Sequence, residues 1–393
     1  MDSVNFSQRT FFEPATSDLA QAIGRRMARN QLLYDLTTSN PGSCGLTPNT
    51  EKTLSPLQTP AAMYYNPNPR GILSAREAVA ALYNNAVSPE RIFLAASTSE
   101  AYSMLFRLLC DPRDQVLIPQ PGYPLFDMLA ALDNVTLQHY PLFYDHGWHI
   151  DLASLVAAIT LRTRAILLVH PNNPTGHYTT QQERAALSRI AITHNLALIV
   201  DEVFLEYPIE SEAGNSFTQP GEDQPLIFTL SGLSKICALP QMKLAWTTIT
   251  GPAEAVAEAT HRLDLIADTF LSVATPQQLA LPTWLADRRE VQSSIIARVK
   301  ANLAELDRQI ANTAISRLPV QAGWAAVLRV PATLDDTDLA LQLVREAGVA
   351  VHPGSFYGFP PKGWLVISLL IDPQHFAAGI NLLGSGIQQV NPT

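Results

Sequence analysis

Four short polar loops of the sequence contain the kinds of residue that enzymes use for chemistry. They are residues 97–100 (STSE), 170–176 (HPNNPTG), 201–204 (DEVF) and 231–235 (SGLSK). Each loop follows directly on a run of apolar residues that is typical of a buried strand. The carboxyl ends of parallel strands line the ligand crevice of an open sheet, so we expect the four loops to meet at one site.

Lys235, Asp201 and Asn173 are the candidate reactive side chains of these loops, separated by 28 and 34 residues. A lysine amine can bond to a carbonyl carbon and, when it is neutral, can accept a proton. Each residue also has a purely structural interpretation. Lys235 could be a surface lysine near a helix start, Asp201 could cap a helix, and Asn173 could be a turn residue.

The composition excludes several classes of protein. The chain has 393 residues, of which 47% are hydrophobic and 16% charged, and its formal net charge is -9. This suits a core-rich globular protein and gives no basic surface for nucleic acid. Three cysteines without a C-x-x-C spacing predict neither a disulfide framework nor a metal site.

The chain shows no targeting or membrane signal. Its first thirty residues lack a basic start followed by an apolar run. No apolar stretch reaches the roughly 18–20 residues that a membrane span needs. We therefore expect a cytoplasmic protein that binds no membrane.

The apolar runs that precede the polar loops alternate with helical patterns. Strands are predicted at 91–96, 115–119, 135–140, 165–169, 196–200 and 226–230, and helices at 74–87, 100–109, 124–132, 151–160 and 180–194. This alternation is the signature of βαβ units around a mostly parallel sheet. The pattern predicts an α/β large domain at 61–280.

The two ends of the chain have different patterns. Residues 1–60 are interrupted by prolines and glycines and are predicted to form an arm. A long helix at 288–312, strands at 324–330 and 365–370 and a helix at 335–347 predict a smaller α+β domain at 281–393, completed by the arm.

The four loops, in this order, resemble those of the fold-type I pyridoxal-5′-phosphate (PLP) enzymes of the aspartate aminotransferase family, class I/II. The most specific element is NNPTG at 172–176, and the resemblance runs over nearly the whole chain. It implies a mostly parallel sheet of the seven-stranded type in a large PLP domain. It also implies an aminotransferase and a homodimer with shared active sites.

The resemblance assigns a role to each loop. Lys235 would form the Schiff base and act as general base, and Asp201 would keep the pyridine nitrogen protonated. Asn173 would donate to the phenolic oxygen, and Tyr123 would lie against the pyridine face, unless it is a core tyrosine.

A second set would bind the cofactor phosphate. Thr98 and Ser99 open a helix, where an ordinary Ser/Thr cap would look the same. Ser231 and Ser234 would add donors, and Lys243, the rival Schiff-base lysine, is assigned to the phosphate where the family usually has arginine. Tyr65, or alternatively Tyr64, would reach the phosphate of a partner subunit.

Two positions depart from the family pattern. Phe204 stands where a tyrosine usually contacts the phenolic oxygen, and Val366 stands where an arginine usually binds the substrate carboxylate. Either Asn40 or Lys362 binds that carboxylate, or the substrate is an amine without one. Phe270 and Leu271, where some relatives place a second arginine, make acidic substrates unexpected.

Other outcomes remain open on the same fold. PLP stabilises a carbanion that lyases and decarboxylases share with aminotransferases. A PLP-fold protein without catalytic activity is a further alternative, although the set of Lys235, Asp201 and Asn173 favours an enzyme.

Overall fold

A computed structural model describes residues 4–11, 18–219, 224–271 and 273–390. The described strands, in chain order, are β1 (Tyr34–Asp35), β2 (Ile92–Ala95), β3 (Gln115–Gln120), β4 (Thr136–Tyr144), β5 (Trp148–Ile150), β6 (Thr163–Val169), β7 (Ala197–Asp201), β8 (Ile227–Gly232), β9 (Ala245–Thr250), β10 (Ser316–Arg317), β11 (Ala325–Arg329), β12 (Val349–Ala350), β13 (His352–Pro353) and β14 (Trp364–Ser368). The described α-helices are α1 (Asp18–Ala28), α2 (Thr50–Leu54), α3 (Leu73–Leu82), α4 (Thr98–Leu109), α5 (Leu125–Leu132), α6 (Leu152–Ala157), α7 (Gln181–Thr193), α8 (Leu233–Ile236), α9 (Ala253–Phe270), α10 (Thr275–Ile310), α11 (Asp336–Gln342) and α12 (Pro373–Val390).

Parts of the three predicted domains fall outside these ranges. Residues 1–3 and 12–17 belong to the predicted arm, 220–223 and 272 to the predicted large domain, and 391–393 to the predicted C-terminal domain.

The large sheet confirms the predicted α/β class. Its strand order is β2-β9-β8-β7-β6-β3-β4-β5. Strands β8, β7, β6, β3 and β4 pair in parallel, whereas β9 and β5 run antiparallel to their neighbours. The sheet of the seven-stranded type is therefore present, and β5 adds an eighth strand through its pairing with β4.

The central strands are buried on both faces, which explains their uninterrupted apolar runs. In β6, Ala165 and Leu167 pack into a core with α4 and α9, whereas Ile166 and Leu168 pack into a second core that includes α7. This alternation is the period of two of a strand. Because the strands run in parallel, the loops that follow β6, β7 and β8 emerge at the same edge.

The small sheet has the order β10-β11-β14-β13 and is antiparallel. Helices α10 and α12 pack with it in a separate core. From the N-terminal arm, β1 pairs in parallel with β12 through Tyr34 and Val349. The arm therefore completes the smaller α+β unit, as predicted.

Several elements differ from the predicted pattern. The helix predicted at 288–312 begins at Thr275, so α10 passes through position 280 without a break. The boundary between the large domain and the C-terminal domain stays a prediction. Strand β9, whose buried sequence AWTTIT is rich in threonine, and helix α9 were missing from the predicted set.

Candidate active site

A cavity of about 390 Å³ lies where the carboxyl ends of β7 and β8 face β11 and β14 of the small sheet. All four polar loops contribute to its lining. The predicted site residues that line it are Thr98, Ser99, Tyr123, Asn173, Asp201, Ser234, Lys235 and Lys243. The parallel strand order thus brings together side chains that lie up to 145 positions apart in the sequence, from 98 to 243.

Lys235 lies in the short helix α8, directly after β8. Its Nζ is 4.9 Å from the ring centre of Trp324 and 5.4 Å from that of Phe204. Burial in this aromatic surrounding lowers the pKa of the Lys235 amine to about 8, and the negative charge of Asp201 limits the decrease. At pH 7 about a tenth of the amine is then neutral, far more than for an exposed lysine.

Asp201 ends β7 and is 7% exposed. Its Oδ1 accepts a hydrogen bond from the backbone N–H of Val203 at 3.0 Å, and its Oδ2 accepts one from the Tyr102 hydroxyl at 2.7 Å. Burial raises the pKa of this carboxyl, while the two hydrogen bonds and Lys235 oppose the increase. Oδ1 thus closes a turn and does not cap a helix, and Asp201 also lines the cavity.

Sequence reasoning missed Tyr102, which holds Asp201 from behind the cavity lining, as well as the lining residues Trp324, His352 and Tyr357. Tyr102 lies on α4, one helical turn after Thr98, and is 3% exposed. From the sequence alone, Tyr102 is indistinguishable from the other residues on the apolar face of an amphipathic helix. Thr98 and Tyr102 are four positions apart and therefore share one face of α4, the face towards β7. This spacing could have indicated from the sequence that Tyr102 lies near the site.

The N-terminus of α4 opens onto the cavity. Ser97 caps the helix by accepting the N–H of Glu100 at 3.1 Å. Thr98 and Ser99 follow as the first helical residues, where N–H groups have no partner within the helix. Together with Ser234 and the exposed Lys243 across the cavity, this end can bind an anion.

Ser231 is not part of this anion site. It lies in β8, and its side chain lines a second, smaller cavity together with Tyr83 and Glu202. Side chains along a strand alternate between its two faces. The predicted role of Ser231 as a phosphate donor is therefore corrected: the strand directs it to the face opposite the site.

The NNPTG loop brings Asn173 and Pro174 into the lining. Gly176 closes the loop with φ +70°, and a Cβ atom there would lie 2.6 Å from the carbonyl oxygen of Ala322. A side chain at this position would push the loop away from the wall of the cavity. Asn172 also lines the cavity, but its Oδ1 already accepts a hydrogen bond from the Thr175 hydroxyl at 2.9 Å.

Three predicted contacts lie outside the cavity. Tyr65 is 74% exposed, and so is Tyr64. Asn40 is exposed and accepts the N–H of Gly42 at 3.0 Å. Lys362 lies 3.9 Å from Asp335, with about half of each side chain exposed. Asn40 and Lys362 are thus not among the described residues that line this cavity, although Ser39, next to Asn40, is.

One wall of the cavity belongs to the small sheet. Val366 is buried in β14, and His352 and Tyr357 lie next to it. Tyr123, 42% exposed, lines the cavity and has its ring edge-on to Phe126 at 6.2 Å. The site is therefore polar along the edge of the large sheet, and the rest of its lining mixes aromatic side chains such as Trp324 and Tyr357 with aliphatic and small ones.

Two further properties concern the described part of the chain. No helix there combines the length and apolar character of a membrane span. No group of three or more His, Cys, Asp or Glu side chains there is arranged to hold a metal ion.

Comparison with known proteins identifies the family. Residues 58–380 match the family described as aminotransferase class I and II. An alanine aminotransferase of Mycobacterium tuberculosis is 30% identical over 80% of this chain and 76% of its own length. Nicotianamine aminotransferase 1 of Oryza sativa subsp. japonica is 28% identical over 81% of this chain and 67% of its own length. The solved structure of alanine aminotransferase from Pyrococcus furiosus has a TM-score of 0.90 and 20% identity, over 98% of this chain and all of that one. The chain therefore belongs to the class I and II aminotransferases, enzymes of fold type I that use PLP.

Proposed function

We propose that this aminotransferase holds PLP on Lys235 and moves an amino group between an amine or amino-acid donor and a keto acceptor. The observation that carries the proposal is the pairing of a buried lysine amine with a buried carboxylate in one cavity, beside the N-terminus of α4. Perturbed titratable groups that converge in a cleft are the usual mark of a catalytic site.

The residues present fit this cofactor. PLP requires an amine for its carbonyl carbon, a carboxylate for its pyridine nitrogen and an anion site for its phosphate. Lys235, Asp201 and the first turn of α4 provide these three groups around a cavity of about 390 Å³.

When bound, PLP supplies an electron-accepting ring that stabilises negative charge on the substrate α-carbon. Asp201 would keep a proton on the pyridine nitrogen, and the Tyr102 hydroxyl fixes the orientation of the Asp201 carboxylate. Lys235 would serve as the base that accepts and returns a proton next to the cofactor. The pKa of about 8 makes its neutral form accessible at working pH.

The remaining lining residues hold the cofactor in place. Asn173 would donate to the phenolic oxygen, and Tyr123 would lie against the pyridine face. Thr98, Ser99, Ser234 and Lys243 would hold the phosphate through N–H groups, hydroxyls and a positive charge. Their common position along one edge of the large sheet supports this assignment.

We further propose a cytoplasmic homodimer. Tyr65 projects from a segment in which Met63, Tyr64 and Tyr65 are all more than 70% exposed. Such a segment suits contact with a partner subunit, where Tyr65 or Tyr64 would reach the phosphate. The three cysteines are free in the structure, which suits a reducing compartment.

A panel of amino acids and simple amines tests the proposal. Purified protein with PLP should show the visible band of the lysine-bound cofactor. A donor should convert that band to the near-ultraviolet band of pyridoxamine phosphate, with release of the keto product. The Lys235→Ala variant should do neither.

Other outcomes would point to the alternatives. Release of ammonia or carbon dioxide without pyridoxamine phosphate would indicate a lyase or decarboxylase. A visible band that no donor alters would indicate a protein that binds PLP without turnover.

A further inference from the structure

The small-sheet wall of the cavity has no guanidinium group for a substrate acid. Val366, at the position where the family pattern has arginine, is 1% exposed and apolar. None of the described residues that line the cavity is an arginine. Arg329, on the neighbouring strand β11, stacks 3.9 Å above the ring of Trp364 instead. A carboxylate that entered this cavity would need another partner.

His352 lies directly across from Val366. In the antiparallel pair β13 and β14, His352 is the register partner of Val366. Directly opposed residues of an antiparallel pair present their side chains on the same face of the sheet. Both residues line the cavity, so the imidazole occupies the wall next to the missing guanidinium.

The His352 ring is held in a fixed orientation. It stacks on Phe356 with ring centres 4.8 Å apart and planes at 7°, and it meets Tyr357 edge-on at 5.7 Å. A side chain that is already immobilised loses little conformational entropy when it binds a ligand.

One ring N–H of His352 is directed at the backbone of Thr37, and the Asp35 carboxylate is nearby. A substrate carboxylate would therefore have to bind at the other ring nitrogen of the protonated imidazole, and its negative charge would favour that protonated form. Burial lowers the pKa of its imidazole, and Asp35 and the backbone of Thr37 act in the opposite direction. The Asp35 carboxylate already accepts the N–H and the hydroxyl of Thr37, at 2.8 and 2.6 Å. Lys235 and Lys243, the other basic lining residues, are engaged by the cofactor in the proposed function.

We propose that His352 is a substrate-positioning residue that hydrogen-bonds the acid group of the substrate, in the place beside Val366. The preferred substrates are then 2-amino acids and 2-oxo acids with an uncharged side chain, which fits the aromatic and aliphatic side chains in the rest of the cavity lining. This inference rests on the proposed aminotransferase function.

Ligand binding to the PLP-loaded enzyme tests the inference without turnover. The probes are 3-phenylpropanoate and its neutral counterpart 3-phenylpropan-1-ol, titrated calorimetrically into wild type, His352→Ala and His352→Gln. Loss of one hydrogen bond to a charged group should weaken carboxylate binding by about 10- to 100-fold in His352→Ala, with less than about a twofold change for the alcohol. His352→Gln, which keeps a donor, should recover part of the loss.

A control separates a polar contact from general damage to the wall. Phe356→Leu removes the stacking ring but no polar group, and Phe356 does not line the cavity. Because the imidazole is then held less firmly, this variant should weaken carboxylate binding by a small factor, less than His352→Ala does, and leave binding of the alcohol unchanged. The inference is wrong if His352→Ala leaves carboxylate binding unchanged, if it weakens both probes alike, or if wild type shows no preference for the carboxylate.

Turnover separates this inference from the proposed function. A wild-type enzyme that converts 2-phenylethylamine but ignores phenylalanine would remain an aminotransferase and would overturn the role of His352. An enzyme whose visible band survives Lys235→Ala would overturn the proposed function, whatever the calorimetry shows.

Discussion

Replacing Lys235 with methionine should stabilise the cofactor-free protein at neutral pH. Methionine keeps an unbranched side chain of similar length and removes the amine. In the folded chain the amine is buried and its pKa is lowered from 10.5 to about 8. Holding a proton on that amine therefore costs folding free energy that the methionine variant avoids.

The magnitude follows from the difference in pKa between the two states. A decrease of about 2.5 units corresponds to about 3 kcal/mol, since one unit is worth about 1.4 kcal/mol. Between pH 8 and 10.5 the unfolded chain binds more protons at this site than the folded chain, so wild-type stability rises with pH. The advantage of Lys235→Met is therefore complete below pH 8 and disappears towards pH 10.5.

Urea unfolding of both proteins without PLP, at pH 7, 8, 9 and 10, measures this advantage. Taking the difference between variant and wild type at each pH cancels the titration of other groups. Lys243→Met is a matched control, because that lysine is exposed and its loss should change stability little at any of these pH values. If Lys235→Met were no more stable than wild type at pH 7, or if the difference did not shrink with pH, the amine would not be buried as described.

Three further changes test the site. Asp201→Asn keeps the shape of the side chain but not its charge, so kcat should fall by about 100-fold or more with PLP still bound; steady-state kinetics within twofold of wild type would contradict its role. Tyr102→Phe removes the 2.7 Å hydrogen bond to Asp201, and stopped-flow traces should show the donor half-reaction slowed by about tenfold. An unchanged rate would mean that Tyr102 does not position the carboxylate. Phe204→Tyr adds a donor near the cofactor oxygen, so the visible band should titrate at lower pH than in wild type; a shift to higher pH would count against this placement of residue 204.

Most of the large sheet could be predicted because each strand has a signal in its own short stretch of sequence. The apolar runs of β6, β7 and β8 are bounded by polar loops, and Asn173, Asp201 and Lys235 lie at or just after their carboxyl ends. Once parallel pairing is assumed, the convergence of these loops follows from sheet geometry.

The features that the sequence did not reveal depend on which elements pack together, on strand register and on the face of a strand that a side chain occupies. Tyr102 gains its role only because α4 packs against the end of β7. His352 gains its place only through the register of β13 with β14, because β13 spans two residues and has no strand signal of its own. The face of β8 on which Ser231 lies could be assigned only once the strand and its position relative to Lys235 were known.

The most direct test of the central claim is to locate the lysine that carries the cofactor. PLP-loaded protein is reduced with borohydride and digested, and mass spectrometry identifies the modified peptide. Modification of Lys235 in wild type, with none in Lys235→Ala and an unchanged pattern in Lys243→Ala, is the predicted result. Modification of Lys243 in wild type, or a labelled peptide that persists in Lys235→Ala, would contradict the account.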